Sequence, residues 1–228
     1  MTRSSSHDTR LICFDVDGTL VEHVAHKTIW QLVNQRVYGD DALNKRRFQA
    51  FRDGRLTYPE WVALDVLDWK SLGVSRAQIE DVIRTELTLV AGALETVATL
   101  KQRGYPIAIV SGTIDLILEL LLGEFPLDRA FTNKIHFDES GRIAGWEATP
   151  FDVDGKADAV RQLAAEQGIT TEEVAFVGDS WNDRAAFRTV GFSVAFRPKD
   201  DQLRKLAHVV IENGSLLPAL DHFPGLQR

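Results

Sequence analysis

Three short, unbroken apolar runs rich in Ile and Val punctuate the chain, at Leu11–Phe14, 106–110 and 174–177, and each closes on an Asp, Ser or Gly. Runs of that kind suit strands buried on both faces, as in a parallel sheet. Longer segments between them carry helical spacing. Residues 93–103 put Leu94, Val97, Ala98 and Leu100 on one side and stop at Gly104, 114–122 stops at Gly123, and 157–167 stops at Gly168, as helix C-termini do. Strand alternating with helix predicts a doubly wound α/β fold with a mostly parallel, Rossmann-like sheet.

Residues 22–90 break the alternation. Their spacing predicts helices over 28–38, 41–53, 59–71 and 76–85 with no strand between them, which reads as a helical cap inserted into a core made of 10–21 and 91–228. Further on, 134–145 alternates and then turns at Asp138-Glu139-Ser140-Gly141, predicting a β-hairpin. The last strands fall at 193–196 and 208–211. Residues 1–9 are polar and read as a disordered tail without the apolar middle of a secretory signal.

With 228 residues, 44% of them hydrophobic and 12 Phe and 5 Trp among them, the chain can bury one large core, with room for an insertion. Lys and Arg total 26 against 33 Asp and Glu, and the net charge of -7 repels a polyphosphate backbone, so no nucleic-acid partner is expected. The segment 22–90 holds ten basic and ten acidic residues, leaving the acidic surplus to the core. The greasiest stretch, 114–122, is interrupted by Asp115 and Glu119, so no membrane partner is expected and the cytoplasm is the expected compartment. The lone Cys13 sits inside an apolar run and reads as a small buried hydrophobe.

Four segments end a predicted strand, or open a helix beside one, on polar residues: Asp15-Val16-Asp17-Gly18-Thr19-Leu20, Ser111-Gly112-Thr113, Lys156, and Gly178-Asp179-Ser180-Trp181-Asn182-Asp183. Singly each is an ordinary turn or a solvated side chain. Together they are what metal-assisted phosphoryl transfer requires. Asp15 supplies an anionic nucleophile. A phosphomonoester dianion repels that carboxylate, so a hard divalent cation such as Mg2+ must neutralise both, with Asp15 and Asp179 its natural pair. Asp17 is placed to protonate the leaving alcohol and later activate water. Lys156, the Ser111 hydroxyl and backbone N–H groups near Gly112 would hold the phosphoryl oxygens.

In this order, Asp15-Val16-Asp17-Gly18-Thr19-Leu20, Ser111-Gly112, Lys156 and Gly178-Asp179-x-x-Asn182-Asp183 closely resemble the four signature motifs of the haloacid dehalogenase-like hydrolase superfamily, over about residues 10 to 212. The insertion after the first motif resembles the cap of the branch that contains phosphoserine phosphatase. The resemblance implies an aspartyl-phosphate intermediate on Asp15, acid–base work by Asp17, and Mg2+ held by the Asp15 side chain, the Asp17 backbone carbonyl and Asp179. Asp183 would support the metal site, directly or through water, and Asn182 is a further supporting residue. Retention of Asp17 and Asp179 favours phosphoryl transfer over dehalogenation. The likeness is incomplete in the cap, where that branch carries a Glu and an Arg that grip an amino acid. Val24, with Glu22 two residues away, stands near the first position and Ala63 or Leu64 near the second, and Thr113 stands where the branch has a second Gly.

The implied partner is a small phosphorylated metabolite, a phosphomonoester, with transfer to an acceptor other than water as the alternative and a catalytically inactive binding protein as the rival from another class. The remaining features read as ordinary surface or loop. His23 and His26 fit an exposed helix face, and Lys45-Arg46-Arg47 with Arg52 and Arg55 a solvated charged face. Trp181 reads either as a wall of the site or as packing beneath the cap. The second Phe-Asp-Val-Asp-Gly, at 151–155, reads as a loop with a chance likeness to the first.

Overall fold

The computed structural model describes residues 8–226. A seven-stranded sheet runs in the order β6-β5-β4-β1-β7-β8-β9. It comprises β1 (Leu11–Phe14), β4 (Ile107–Ile114), β5 (Arg129–Phe137), β6 (Ile143–Glu147), β7 (Val174–Gly178), β8 (Phe192–Phe196) and β9 (Val209–Ile211). Every pairing is parallel except β5 with β6, the predicted hairpin. Period-two alternation explains why β1 has no polar face. Ile12 and Phe14 point into one apolar cluster with Ile107, Ile109 and Val177, whereas Leu11 and Cys13 point into another with Val110, Val174 and Phe176. Cys13 is buried and unbridged, and burial pushes its thiol up.

Helices cover both faces. α5 (Ala93–Gln102) and α6 (Asp115–Leu121) pack on the first cluster, and α7 (Gly155–Gln167), α8 (Arg184–Thr189) and α9 (Asp201–Leu206) on the second. Between β2 (Val21–Glu22) and β3 (Thr88–Leu89) lie α1 (Ile29–Tyr38), α2 (Ala42–Arg52), α3 (Tyr58–Ser71) and α4 (Arg76–Glu86). Thr57 with Glu60 and Ser75 with Gln78 form capping boxes that start α3 and α4. The apolar stripes of these helices, including Ile29, Val66, Trp69 and Ile79, join the first cluster without a break. Polar contacts bind them to the sheet as well, Lys70 donating to the Ala144 carbonyl at 2.9 Å and Arg76 pairing with Glu119.

Several expectations need correction. β2 and β3 form an antiparallel ribbon at the foot of the four helices, where no strand was expected, because a two-residue strand is too short to show a period. β4 does not stop at Val110. It runs on through Ser111-Gly112-Thr113 to Ile114 across a register shift against β5. His23 and His26 lie on the loop before α1, not on a helix. His23 is buried, accepting from Ala25 N at Nδ1 and lying 3.5 Å from Glu86, and His26 adopts φ 55°. Arg47 is not solvated, because Asp65 and Asp68 each hold its guanidinium at 2.5 Å. Residues 1–7 of the expected tail lie outside the described residues, and Thr9 is buried, so order begins before residue 10. No helix among the described residues is long and apolar enough to cross a membrane.

Candidate active site

The chain leaves β1 towards β4 on one side of the sheet and returns to β7 on the other, so a crevice opens beyond the C-terminal end of β1, where open α/β sheets place ligands. Asp15 follows β1, Ser111 lies near the end of β4, and Asp179 follows β7. Three strand ends therefore deliver three polar side chains to one point, each drawn from a different stretch of sequence. Lys156, in the first turn of α7, reaches the same point with its side chain fully buried.

Lys156 Nζ lies 3.0 Å from Asp15 and 2.7 Å from Asp183. Burial alone would lower its affinity for a proton, but the Asp15, Asp183 and Asp152 carboxylates outweigh that and hold the ammonium well above its ordinary range. Asp183 spends its other oxygen on its own loop, accepting from the backbone N–H of Asp179 at 2.9 Å and of Ser180 at 3.0 Å. Asp17 is half-buried, and desolvation followed by the Asp15 charge raises it to about 7. Burial likewise pushes the Asp179 and Asp183 carboxyls up.

Oxygens of Asp15, Asp179 and Asp183 lie within 4.8 Å of one another. Asp179 is fully buried, and its Oδ1 has no hydrogen-bond partner. Its Oδ2 is 2.6 Å from Lys199 Nζ. An all-oxygen donor set with a buried, orphaned carboxylate oxygen fits a hard divalent cation. Gly18 is required here twice over. Its φ is 89°, and a Cβ on it would collide with Asp179 Oδ2 and Lys199 Nζ.

A cavity of about 290 Å³ opens from this point towards α1, α2 and α3, and Asp15, Asp17, Ser111, Gly112 and Asn182 line it. Ser111 is buried, with its Oγ accepting from Thr113 N at 3.3 Å. The Gly112 carbonyl accepts from Trp30 Nε1 at 2.9 Å, Asn133 Nδ2 at 2.7 Å and Tyr58 Oη at 3.2 Å, so the bulged end of β4 is clamped from α1, α3 and β5. The structure thus gathers Asp15, Asp17, Ser111, Gly112, Lys156, Asp179, Asn182 and Asp183 into one region.

Asp152, Lys199 and Asn133 were not singled out from the sequence. The loop at 151–155 is a loop as expected but takes part in the site, because Asp152 and Val153 line the cavity and Asp152 accepts from Asn182 at 3.0 Å. Its repeated pentapeptide was a visible signal, whereas Lys199 and Asn133 carry none. Trp181 both lines the cavity and packs edge-on against Phe48, under the Arg52 guanidinium. Val24 is 95% exposed and Glu22 pairs with Arg197 at 2.8 Å, and neither lines the cavity. Ala63 and Leu64 do not line it either.

A family model described as haloacid dehalogenase-like hydrolase matches residues 9–191. Phosphoserine phosphatase of Archaeoglobus fulgidus is 34% identical over 196 residues, 86% of this chain and 54% of that protein. That of Methanocaldococcus jannaschii is 28% identical over 213 residues, 93% of this chain and 97% of that protein. The chain therefore spans about half of the first relative and nearly all of the second. Among solved structures, a phospho-aspartyl intermediate analogue of phosphoserine phosphatase superposes with a TM-score of 0.72 at 29% identity, covering 93% of this chain and 98% of that one. A substrate-bound phosphoserine phosphatase gives 0.73 at 29% identity, over 93% of this chain and 97% of that one.

Proposed function

The chain belongs to the haloacid dehalogenase-like hydrolase family, in its phosphoserine phosphatase-like branch, and from that premise we propose that it is a Mg2+-dependent phosphomonoesterase that passes the phosphoryl group of a small metabolite through Asp15. The observation that carries this reading is the meeting of Asp15, Lys156 and Asp179 at the switch point of the sheet, beside a carboxyl, Asp17, that is half protonated near neutrality. A carboxylate oxygen of Asp15 attacks phosphorus and the ester P–O bond breaks, while Asp17 gives its proton to the departing alcohol. Asp17 then takes a proton from water, which attacks the phosphorus of the aspartyl-phosphate and frees Asp15. Ser111 and the Gly112 N–H hold the phosphoryl oxygens, and Lys156 balances the charge that builds there. Asp15, the Asp17 carbonyl and Asp179 would hold Mg2+, which when bound neutralises nucleophile and phosphoryl oxygens alike. Asp183 holds Lys156 and the loop at 179–180 in place, and Asn182 steadies Asp152.

On the same reading, 22–90 is a cap that closes the cavity over a core of 10–21 and 91–228 and excludes water from the aspartyl-phosphate. The test is phosphate release from a panel of small phosphomonoesters with Mg2+ and with EDTA. The reading predicts catalytic, metal-dependent release. Stoichiometric release, or release unaffected by metal, contradicts it.

A further inference from the structure

Two of the rings that line the cavity, Trp30 and Tyr58, reach from the 22–90 helices to the core. Each sits in the first turn of a helix whose start is pinned, Thr28 N donating to Gln31 Oε1 at 2.9 Å ahead of α1 and Thr57 N to Glu60 Oε2 at 2.7 Å ahead of α3. Trp30 is seated further by stacking on Trp69, with ring centroids 5.2 Å apart. Both side chains donate to one acceptor, the Gly112 carbonyl, Trp30 Nε1 at 2.9 Å and Tyr58 Oη at 3.2 Å. Gly112 must lack a side chain for that approach, since a Cβ on it would lie 2.8 Å from the Tyr58 hydroxyl. The Gly112 carbonyl and the Thr113 N–H belong to one planar peptide unit, so a grip on the oxygen fixes where the N–H points. It points at Ser111, with Thr113 N donating to Ser111 Oγ at 3.3 Å. A hydroxyl that accepts in this way keeps its own proton to donate elsewhere, and Ser111 lines the cavity.

Resting on the phosphomonoesterase reading above, we propose that Trp30 and Tyr58 are positioning residues, which hold the Gly112–Thr113 peptide so that the Ser111 hydroxyl offers its proton to a phosphoryl oxygen. The core's own share of the grip is Asn133 Nδ2, 2.7 Å from the same carbonyl. That amide is divided, because it also serves the Thr113 carbonyl at 3.2 Å and the Tyr58 hydroxyl at 2.8 Å. α1 and α3 supply the rest, so the helices that wall the cavity also aim a group that holds the phosphoryl oxygens. Without their two donors the peptide is free to turn, and the hydroxyl loses its fixed direction.

The test uses beryllium fluoride, which adds to a carboxylate as a mimic of the phosphoryl group, titrated into the Mg2+-loaded full-length protein and followed by fluorine NMR. Ser111→Ala should weaken its binding about tenfold. Trp30→Phe keeps an aromatic ring for the stack and deletes the N–H, and should weaken binding about fivefold. Tyr58→Phe deletes the longer bond and should weaken it about threefold. In the Ser111→Ala background neither change should matter by more than about twofold, because the group they aim is gone. Tyr58→Phe, alone and with Ser111→Ala, carries the test if Trp30→Phe does not fold. Equal weakening in both backgrounds, or none when Ser111 is present, overturns the inference and, with binding abolished by Asp15→Asn, leaves the phosphatase reading standing. Absence of Asp15-dependent binding to the unaltered protein overturns that reading and the inference with it.

Discussion

At the scale of single residues, Lys156 is the group on which the site turns. Its ammonium, without solvent exposure, stands between Asp15 and Asp183. Lys156→Met removes the cation and leaves two buried carboxylates facing each other, so chemical denaturation in EDTA should show a loss of about 3 to 5 kcal/mol. Asp17→Asn keeps the backbone carbonyl but cannot exchange a proton, so kcat should fall by roughly 10² to 10⁴ while the protein still responds to Mg2+. Asp15, Asp179 and Ser111 were legible in the sequence because each lies at or just past the end of an apolar run that suits a buried strand. Lys156 was legible only in their company. Lys199 was not legible, because its approach to Asp179 depends on how the turn after β8 folds back, with Lys199 N donating to the Asp179 carbonyl at 2.9 Å.

At the scale of elements, the bulged end of β4 depends on Asn133. Its Nδ2 serves the carbonyls of Gly112 and Thr113 and the Tyr58 hydroxyl, and its Oδ1 accepts from Thr149 N at 2.9 Å. Asn133→Leu strands several buried polar groups together and should cost about 3 kcal/mol in a urea titration, with KM raised because Ser111 and Gly112 lose their support. A buried Asn in the middle of a strand has no local pattern to announce it. The four helices of 22–90 were visible because their stripes recur at helical spacing and their caps are conventional. β2 and β3 left no trace for want of length, and His23 misled because a buried loop histidine and a helical one share the same short spacing. α8 and α9, six residues each, were also too short to show a period.

At the scale of the whole molecule, the proposed function has protons and Mg2+ competing for the same buried carboxylates. In metal-free protein Asp17 is raised to about 7, and Asp179 and Asp183 are raised with it. An acid whose folded pKa lies above its unfolded value stabilises the fold below the unfolded value and loses that contribution as pH rises through the folded one. The metal-free protein should therefore melt at lower temperature as pH rises from about 5.5 to about 8. If Mg2+ binds the ionised carboxylates as proposed, it should raise the melting temperature more at the upper end of that range. Calorimetry with EDTA and with Mg2+ at both pH values checks this, and equal metal stabilisation at the two would contradict it. The doubly wound sheet and its switch point were legible from the alternation of runs and helices. The aromatic lining of the cavity was not, because its rings come from separate elements that only packing brings together.

The central claim is that the phosphoryl group rests on Asp15. It is tested most directly by acid-quenching the Mg2+-loaded protein during turnover of a phosphomonoester and mapping the phosphorylated peptide by mass spectrometry. The account predicts one phosphoryl group on Asp15 and none, with no phosphate release, in folded Asp15→Asn. A phosphoryl group on any other side chain, or undiminished phosphate release by that variant, would contradict it.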